Sequence, residues 1–167
     1  MQISIEKASP LDAAELLAFL KQVGEETDNL TFGGEGVPFS VEEEAAYIAS
    51  LEHSRDSVML LAKHGDKIVG NASLSRMPRR MRHRGDLSVA VVKEYWNRGI
   101  GRLLMEEIVA FAKVNGFAVI DLQVRSDNEA AIHLYEKLGF RKIGTHPAFF
   151  QIDNTDVPFD YMYLNIQ

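Results

Sequence analysis

The sequence predicts an α/β (α+β) fold in which one mixed sheet carries helices on both faces. Three observations lead there. Apolar periodicity switches between strand-like and helix-like spacing in the order β-α-α-β-β-β-α-β-α-β-β. FAVIDLQV, residues 117–124, reads as a continuous apolar strand, as expected when both faces are covered. The strand, helix and strand across residues 87–124 make a β-α-β step, which closes as a right-handed parallel crossover. The 167 residues suit one domain, residues 1–167, with its own core, and no repeat, low-complexity tract or linker divides them.

SIEKAS begins as a short strand. SPLDAAELLAFLKQVGEE follows as a helix, with Ser9 as N-cap, Pro10 at the first helical position and Leu16, Leu17, Leu20 and Val23 on one face. TDNLTFGGEGVPF, rich in Gly, is a loop. SVEEEAAYIASLE opens with a capping box of Ser40 and Glu43. SVMLLAKHGDKIVGNASLS is a hairpin around HGDK, and RGDLSVAVV is the next strand. GIGRLLMEEIVAFAKVNG is a strong helix whose stripe is Ile100, Leu103, Leu104, Ile108 and Phe111, ended by Gly116. SDNEAAIHLYEKLG is the last helix, with Ser126 and Glu129 as a capping box and Gly139 as terminator. FRKIGTHPAFFQI and PFDYMYLNI close the chain as strands around DNTD.

Composition narrows the function. Hydrophobic residues make up 46% and charged residues 25%, the balance of an ordered globular protein. The net charge of −6 disfavours a general nucleic-acid binder. SRMPRRMRHRGD gathers Arg76, Arg79, Arg80, Arg82 and Arg84, read as a solvated hairpin tip, a phosphate contact or a docking surface for an acidic partner. No apolar run approaches the ~20 residues of a membrane helix, and MQISIEKASP lacks a signal-length apolar segment, so a soluble, cytoplasmic protein is expected. There is no Cys, so thiolate nucleophiles and disulfides are excluded. The five His show no ligand spacing, and no metal is expected. No G-x-S-x-G elbow supports a serine hydrolase.

The chemistry concentrates in VVKEYWNRGIGRLLMEEI, residues 91–108, where Gly99 and Gly101 stand at a helix start. The first helical turn has N–H groups without intrahelical partners and a positive dipole end. An anion such as a pyrophosphate fits there when no Cβ obstructs it. Arg98 and Arg102 bracket the turn and offer charge-assisted contacts. A dinucleotide fingerprint fails at Leu104, and no G-K-[ST] completes a P-loop. For a bare G-x-G, a tight turn without a ligand is the more ordinary explanation, and only the context changes that weighting. VRSDNEAAIHLYEKLGF starts a second helix at the same sheet edge, where ligands of open α/β sheets collect. Asn128 is expected in its first turn with the amide free, and Tyr135 two turns along. Tyr135 also fits the apolar stripe of Ala131, Leu134 and Leu138 as a core residue, whose hydroxyl must still find a partner.

VAVVKEYWNRGIGRLL followed by DNEAAIHLYEKLGF resembles the GCN5-related N-acetyltransferases, the GNAT family, and the element order extends the resemblance over residues 3–166. The resemblance implies a mostly antiparallel sheet with a central splayed parallel strand pair. It implies acetyl-CoA as acyl donor and a primary amine of a small molecule or peptide as acceptor, joined by direct attack in a ternary complex; homodimers are common in the family. Val91 and Val92 become contacts for the pantetheine arm, and the Val91 N–H an oxyanion donor. The turn of Asn97, Arg98, Gly99, Ile100, Gly101 and Arg102 becomes the pyrophosphate cradle. Asn128 matches a cofactor-contacting asparagine, and Tyr135 the tyrosine that protonates the departing thiolate. One departure stands out: the family's usual Gln or Arg, three residues before the first glycine, is Trp96 here, leaving Arg98 or Arg102 to substitute.

Asp86 opens the same strand and is the preferred general base; it reads equally as a surface Asp ending a hairpin loop. Glu25, Glu26 and Asp28 are rivals, and with Glu35 they form either an acidic lip for a cationic amine or a solvated helix end. The alternative function is a CoA-binding sensor or scaffold module without catalysis.

Overall fold

The computed structural model describes residues 1–167. A seven-stranded sheet runs in the order β1-β2-β3-β4-β5-β7-β6. Its strands are β1 (Ser4–Lys7), β2 (Ser57–His64), β3 (Lys67–Arg76), β4 (Arg84–Val91), β5 (Val119–Arg125), β6 (Arg141–Ile152) and β7 (Thr155–Asn165). The helices are α1 (Ala13–Glu26), α2 (Val41–Leu51), α3 (Ile100–Val114) and α4 (Glu129–Lys137). Every neighbouring pair is antiparallel except β4 with β5. Both the element order and the mixed sheet agree with the sequence expectation. No helix is long and apolar enough to cross a membrane.

Local sequence signals explain most boundaries. Ser9 caps a short 3₁₀ turn, Pro10–Asp12, that leads into α1, and an Asp12 carboxylate oxygen accepts the Ser9 N–H at 2.8 Å. Ser40 and Glu43 form the expected capping box of α2 at 3.0 and 3.1 Å. Asp153 and Asn154, both at positive φ, make the two-residue turn between β6 and β7. The expected box of Ser126 and Glu129 is absent: Asn128 caps α4 by accepting the Ala131 N–H at 3.3 Å. Ser126 is drawn instead to buried Asp160, a β7 carboxylate that also accepts from Thr145. A charge-assisted bond at 2.7 Å outcompetes the neutral cap.

The core forms where α3 lies on the sheet. Ile100, Leu104, Met105 and Ile108 are fully buried. Each contributes about 1.5–3 kcal/mol of apolar burial. Gly70 of β3 admits this helix: a Cβ there would stand 3.0 Å from Leu104 and 3.2 Å from Ile100. α1 contacts β3, and α2 contacts β2. α4 lies beside α3, with Leu134 against Gly101.

The arginine cluster largely resolves into internal ties. Arg76 reaches Asp56 at 2.8 Å and the carbonyls of Arg82 and Asn115 at 2.6 and 2.7 Å, while its guanidinium stacks 3.8 Å over Phe117. Arg82 also reaches Asp56, and Arg84 meets nearly buried Asp121 at 2.7 Å. Arg79 and Arg80 remain on the exposed 3₁₀ turn Arg79–Met81.

One irregularity of the sheet creates the site. β4 and β5 pair only through Arg84–Asp86 and Val119–Asp121. Beyond that, β4 stays on β3 as far as Val91 and β5 stays on β7 as far as Arg125, but nothing joins the two. The parallel pair is splayed, as the resemblance implied.

Candidate active site

The splay leaves a strand edge with unpaired backbone. Val91 lies opposite Gly70, yet the bond to β3 is made one residue on, from the Val92 N–H to the Val69 carbonyl at 3.0 Å. Val91 is therefore in a non-hydrogen-bonded pair, and its N–H and C=O point away from β3 into the gap. Alternation gives Val89 the same orientation. A cavity of about 400 Å³ occupies the gap. Gly99, Gly101, Leu134 and Tyr135 line one side, Thr27, Asn29 and Leu30 beyond α1 line the other, and Val89–Val91 lie between. The cavity thus breaches the sheet, with walls from elements on both faces.

The glycine turn forms one rim. Asn97 and Gly99 both hold left-handed conformations, at φ of 60° and 80°. Gly99 is the N-cap of α3 and has no side chain to satisfy the orphan amides. The first helical bond is Leu103 N–H to Gly99 C=O. Consequently none of the six amides from Asn97 to Arg102 has an acceptor in the protein. A Cβ on Gly99 would meet nothing within 4 Å, so the space beside the turn is open. An anion with several oxygens matches this run of donors.

The side chains divide around it. Asn97, Gly99, Ile100, Gly101 and Arg102 line the cavity, while Arg102 pairs with Glu106 at 2.8 Å. Arg98 turns away, its guanidinium 5.1 Å from the Tyr95 ring centre, and does not line the cavity. The Tyr95 hydroxyl bonds His64 Nδ1 at 2.7 Å. Val92 departs from the expected pantetheine contact. It is fully buried, its N–H is bonded to Val69, its C=O accepts from Tyr95, and it does not reach the cavity. The strand's alternation turns its polar groups the wrong way.

Tyr135 and Asn128 both line the cavity. Tyr135 is 7% exposed and packs on Phe140, with 5.9 Å between ring centres. Its hydroxyl makes no hydrogen bond within the protein, and burial pushes its pKa up to about 12. The ring of Tyr135 is core, and the residue also lines the cavity. Asn128 spends Oδ1 on the Ala131 cap, and its amide nitrogen makes no bond within the protein.

None of the expected acids lines this cavity. Asp86 sits where β4 and β5 still pair, directly opposite Asp121, and accepts from Gln123 Nε2 at 3.2 Å. Burial and then the Asp121 charge raise its pKa, against Gln123 and Arg84. Three residues separate Asp86 from Val89, roughly 10 Å of strand. Glu26 accepts the Lys93 N–H at 2.7 Å, tying the end of α1 to the turn after β4. Glu35 accepts the Gly33 N–H at 2.9 Å, which lowers its pKa. Asp28 gives its carbonyl to Arg125.

Sequence reasoning placed an acidic lip at Glu25, Glu26, Asp28 and Glu35, but not the neighbouring Thr27, Asn29 and Leu30 that line the cavity, because which side chains of that segment face a motif some 60 residues away leaves no local signal. It flagged Trp96 only as a departure. Trp96 lines the cavity, and its indole N–H donates to the free Val91 carbonyl at 2.7 Å.

Comparison with known proteins follows the same lines. The profile of the Acetyltransferase (GNAT) family matches residues 24–140. N-alpha-acetyltransferase RimI of Mycobacterium tuberculosis is 34% identical over 96 residues, which span 57% of this chain and 59% of that relative. A GNAT-family acetyltransferase from Streptococcus pneumoniae superposes with a TM-score of 0.95 at 35% identity, covering 99% of this chain and 100% of that one. A ribosomal-protein-alanine N-acetyltransferase from Brucella melitensis gives a TM-score of 0.85 at 25% identity, covering 98% and 99%. Profile, splayed sheet and glycine turn agree: the chain belongs to the acetyltransferase (GNAT) family.

Proposed function

We propose that this protein is an acetyl-CoA-dependent N-acetyltransferase acting on a primary amine. The observation that carries the reading is the run of six acceptor-less amides at Asn97–Arg102, set beside the open β4 edge in one cavity. The names of the relatives make a peptide or protein α-amine the first acceptor to test.

The residues present fit acetyl-CoA. The amides of Asn97–Arg102 would hold its diphosphate, the open edge at Val89 and Val91 its pantetheine amides, and the Asn128 amide nitrogen an oxygen of the same ligand. Acetyl-CoA would supply an acyl group activated as a thioester and a sulfur leaving group. The protein's own contribution begins with alignment of two ligands across the breach in the sheet, worth several kcal/mol of barrier. The Val91 N–H, free and fixed by the β3 ladder, is the oxyanion donor. Tyr135, with a pKa near 12, keeps its proton at any working pH and serves as an acid rather than a base. A thiol in water has a pKa of ~8.5, but the same low-polarity surroundings raise it and narrow the mismatch. Asp86, whose pKa burial raises above the usual carboxylate value, would take the ammonium proton through water from outside the cavity.

The test has two steps. Calorimetry with CoA should give one-site binding, and a panel of amines and peptides incubated with acetyl-CoA should release free CoA thiol with at least one acceptor. No CoA binding overturns the reading; binding without turnover on any amine moves it to a non-catalytic CoA module.

A further inference from the structure

We infer that Trp96 is a displaceable cap on the β4 edge, which a ligand whose arm carries an amide donor must displace in order to bind. This inference rests on the proposed CoA site. Val91 is the last residue of β4, and its carbonyl points into the gap where β5 has diverged. A β5 amide would normally satisfy that carbonyl. Here the Trp96 indole N–H does so, at 2.7 Å, from only five residues away.

The backbone and the side chain of Trp96 are held by separate hydrogen bonds. The Trp96 N–H bonds the Lys93 carbonyl at 3.1 Å, closing the 3₁₀ turn Lys93–Tyr95, and the acceptor-less amides begin at the next residue. The side chain is 40% exposed, and the Val91 carbonyl is the only hydrogen-bond partner of its indole. Rotation about its own torsions therefore frees the carbonyl without moving the anion-ready turn. Trp96 stands between the two backbone surfaces that a ligand with a diphosphate and an extended amide arm would bridge.

An amide arm that adds to β4 as a strand requires the Val91 carbonyl, and an indole is too bulky to share the position. Binding thus exchanges one N–H donor for another, and the indole moves toward solvent. A ligand with the diphosphate but no amide arm leaves the indole in place. The exchange withholds part of the arm's hydrogen-bond free energy, equivalent to roughly 3- to 10-fold in affinity.

Trp96 is the single tryptophan of the chain, so tryptophan emission reports on this side chain alone. The native protein is titrated with CoA, with pantetheine (amide arm without diphosphate) and with ADP (diphosphate without the arm). CoA and pantetheine should shift the emission and ADP should not, although calorimetry detects ADP binding. Trp96→Phe, which keeps a ring but removes the donor, should bind CoA about 3- to 10-fold tighter with ADP affinity unchanged. Equal shifts with CoA and ADP, no shift on CoA binding, or weaker CoA binding by Trp96→Phe would overturn the cap. Absence of any CoA heat would instead overturn the functional reading, and the cap with it.

Discussion

Replacing Tyr135 with Phe separates the two roles the structure gives that residue. The ring is core, packed on Phe140 and 7% exposed, and Phe preserves it. The hydroxyl has no partner within the protein, so its removal forfeits no internal hydrogen bond. A bonded hydroxyl would be worth about 0.5–1.5 kcal/mol; here the expected change in stability is within ~0.5 kcal/mol. For a domain of this size that is no more than about 2 °C in Tm. Turnover tells a different story. A positioned acid contributes about 10²–10⁴-fold, or roughly 3–5 kcal/mol of barrier. Thiol release at saturating acetyl-CoA and acceptor should fall by that factor, while calorimetric CoA affinity changes little. A Tm loss of several degrees would show that the hydroxyl has a structural partner. Unchanged kcat would remove Tyr135 from the chemistry and leave it as packing alone.

Other outcomes follow from single contacts. Gly101→Val adds a branched side chain where even a Cβ already stands 3.4 Å from Leu134, so CoA affinity should fall at least about 10-fold by calorimetry while the fold survives; unchanged affinity would refute the placement of the diphosphate. Asp86→Asn should abolish the rise of kcat/KM with pH through the raised Asp86 pKa. Because the folded pKa is raised, ionising Asp86 costs folding free energy as pH rises above its unfolded value, so this variant should be no less stable than the native protein in a neutral-pH urea melt. Asp160→Asn should cost about 1–3 kcal/mol at pH 7. Burial alone would raise the Asp160 pKa, but Ser126, Thr145 and Lys142 outweigh it and lower it below the usual value. Its contribution is then present above the unfolded pKa of ~3.9 and lost as pH falls through the lowered folded one, so urea melts of variant and native should converge in strong acid.

Interactions that span only a few residues are legible in the sequence itself. Ser9, Ser40 and the pair Asp153–Asn154 set element ends by short-range bonds and backbone preference. The orphan amides of the glycine turn follow from the helix start, and the Tyr135 ring from helical spacing. Long-range competition is not legible there. Ser126 abandons its cap because Asp160 arrives from 34 residues away. Val92 loses its expected contact because the β3 register points its amide at Val69. The five clustered arginines look alike along the chain, yet Asp56 and Asp121 claim three of them, Arg76, Arg82 and Arg84.

The sequence by itself determined the element order, the sheet's one parallel step and the unbonded peptide donors of the glycine turn, since periodicity, capping and glycine act locally along the chain. Only the tertiary structure decided where β4 leaves β5, which carbonyl is thereby exposed, and that Trp96 covers it. Those depend on how strands some 30 residues apart align, and register is an energetic compromise of the whole sheet that no single segment contains.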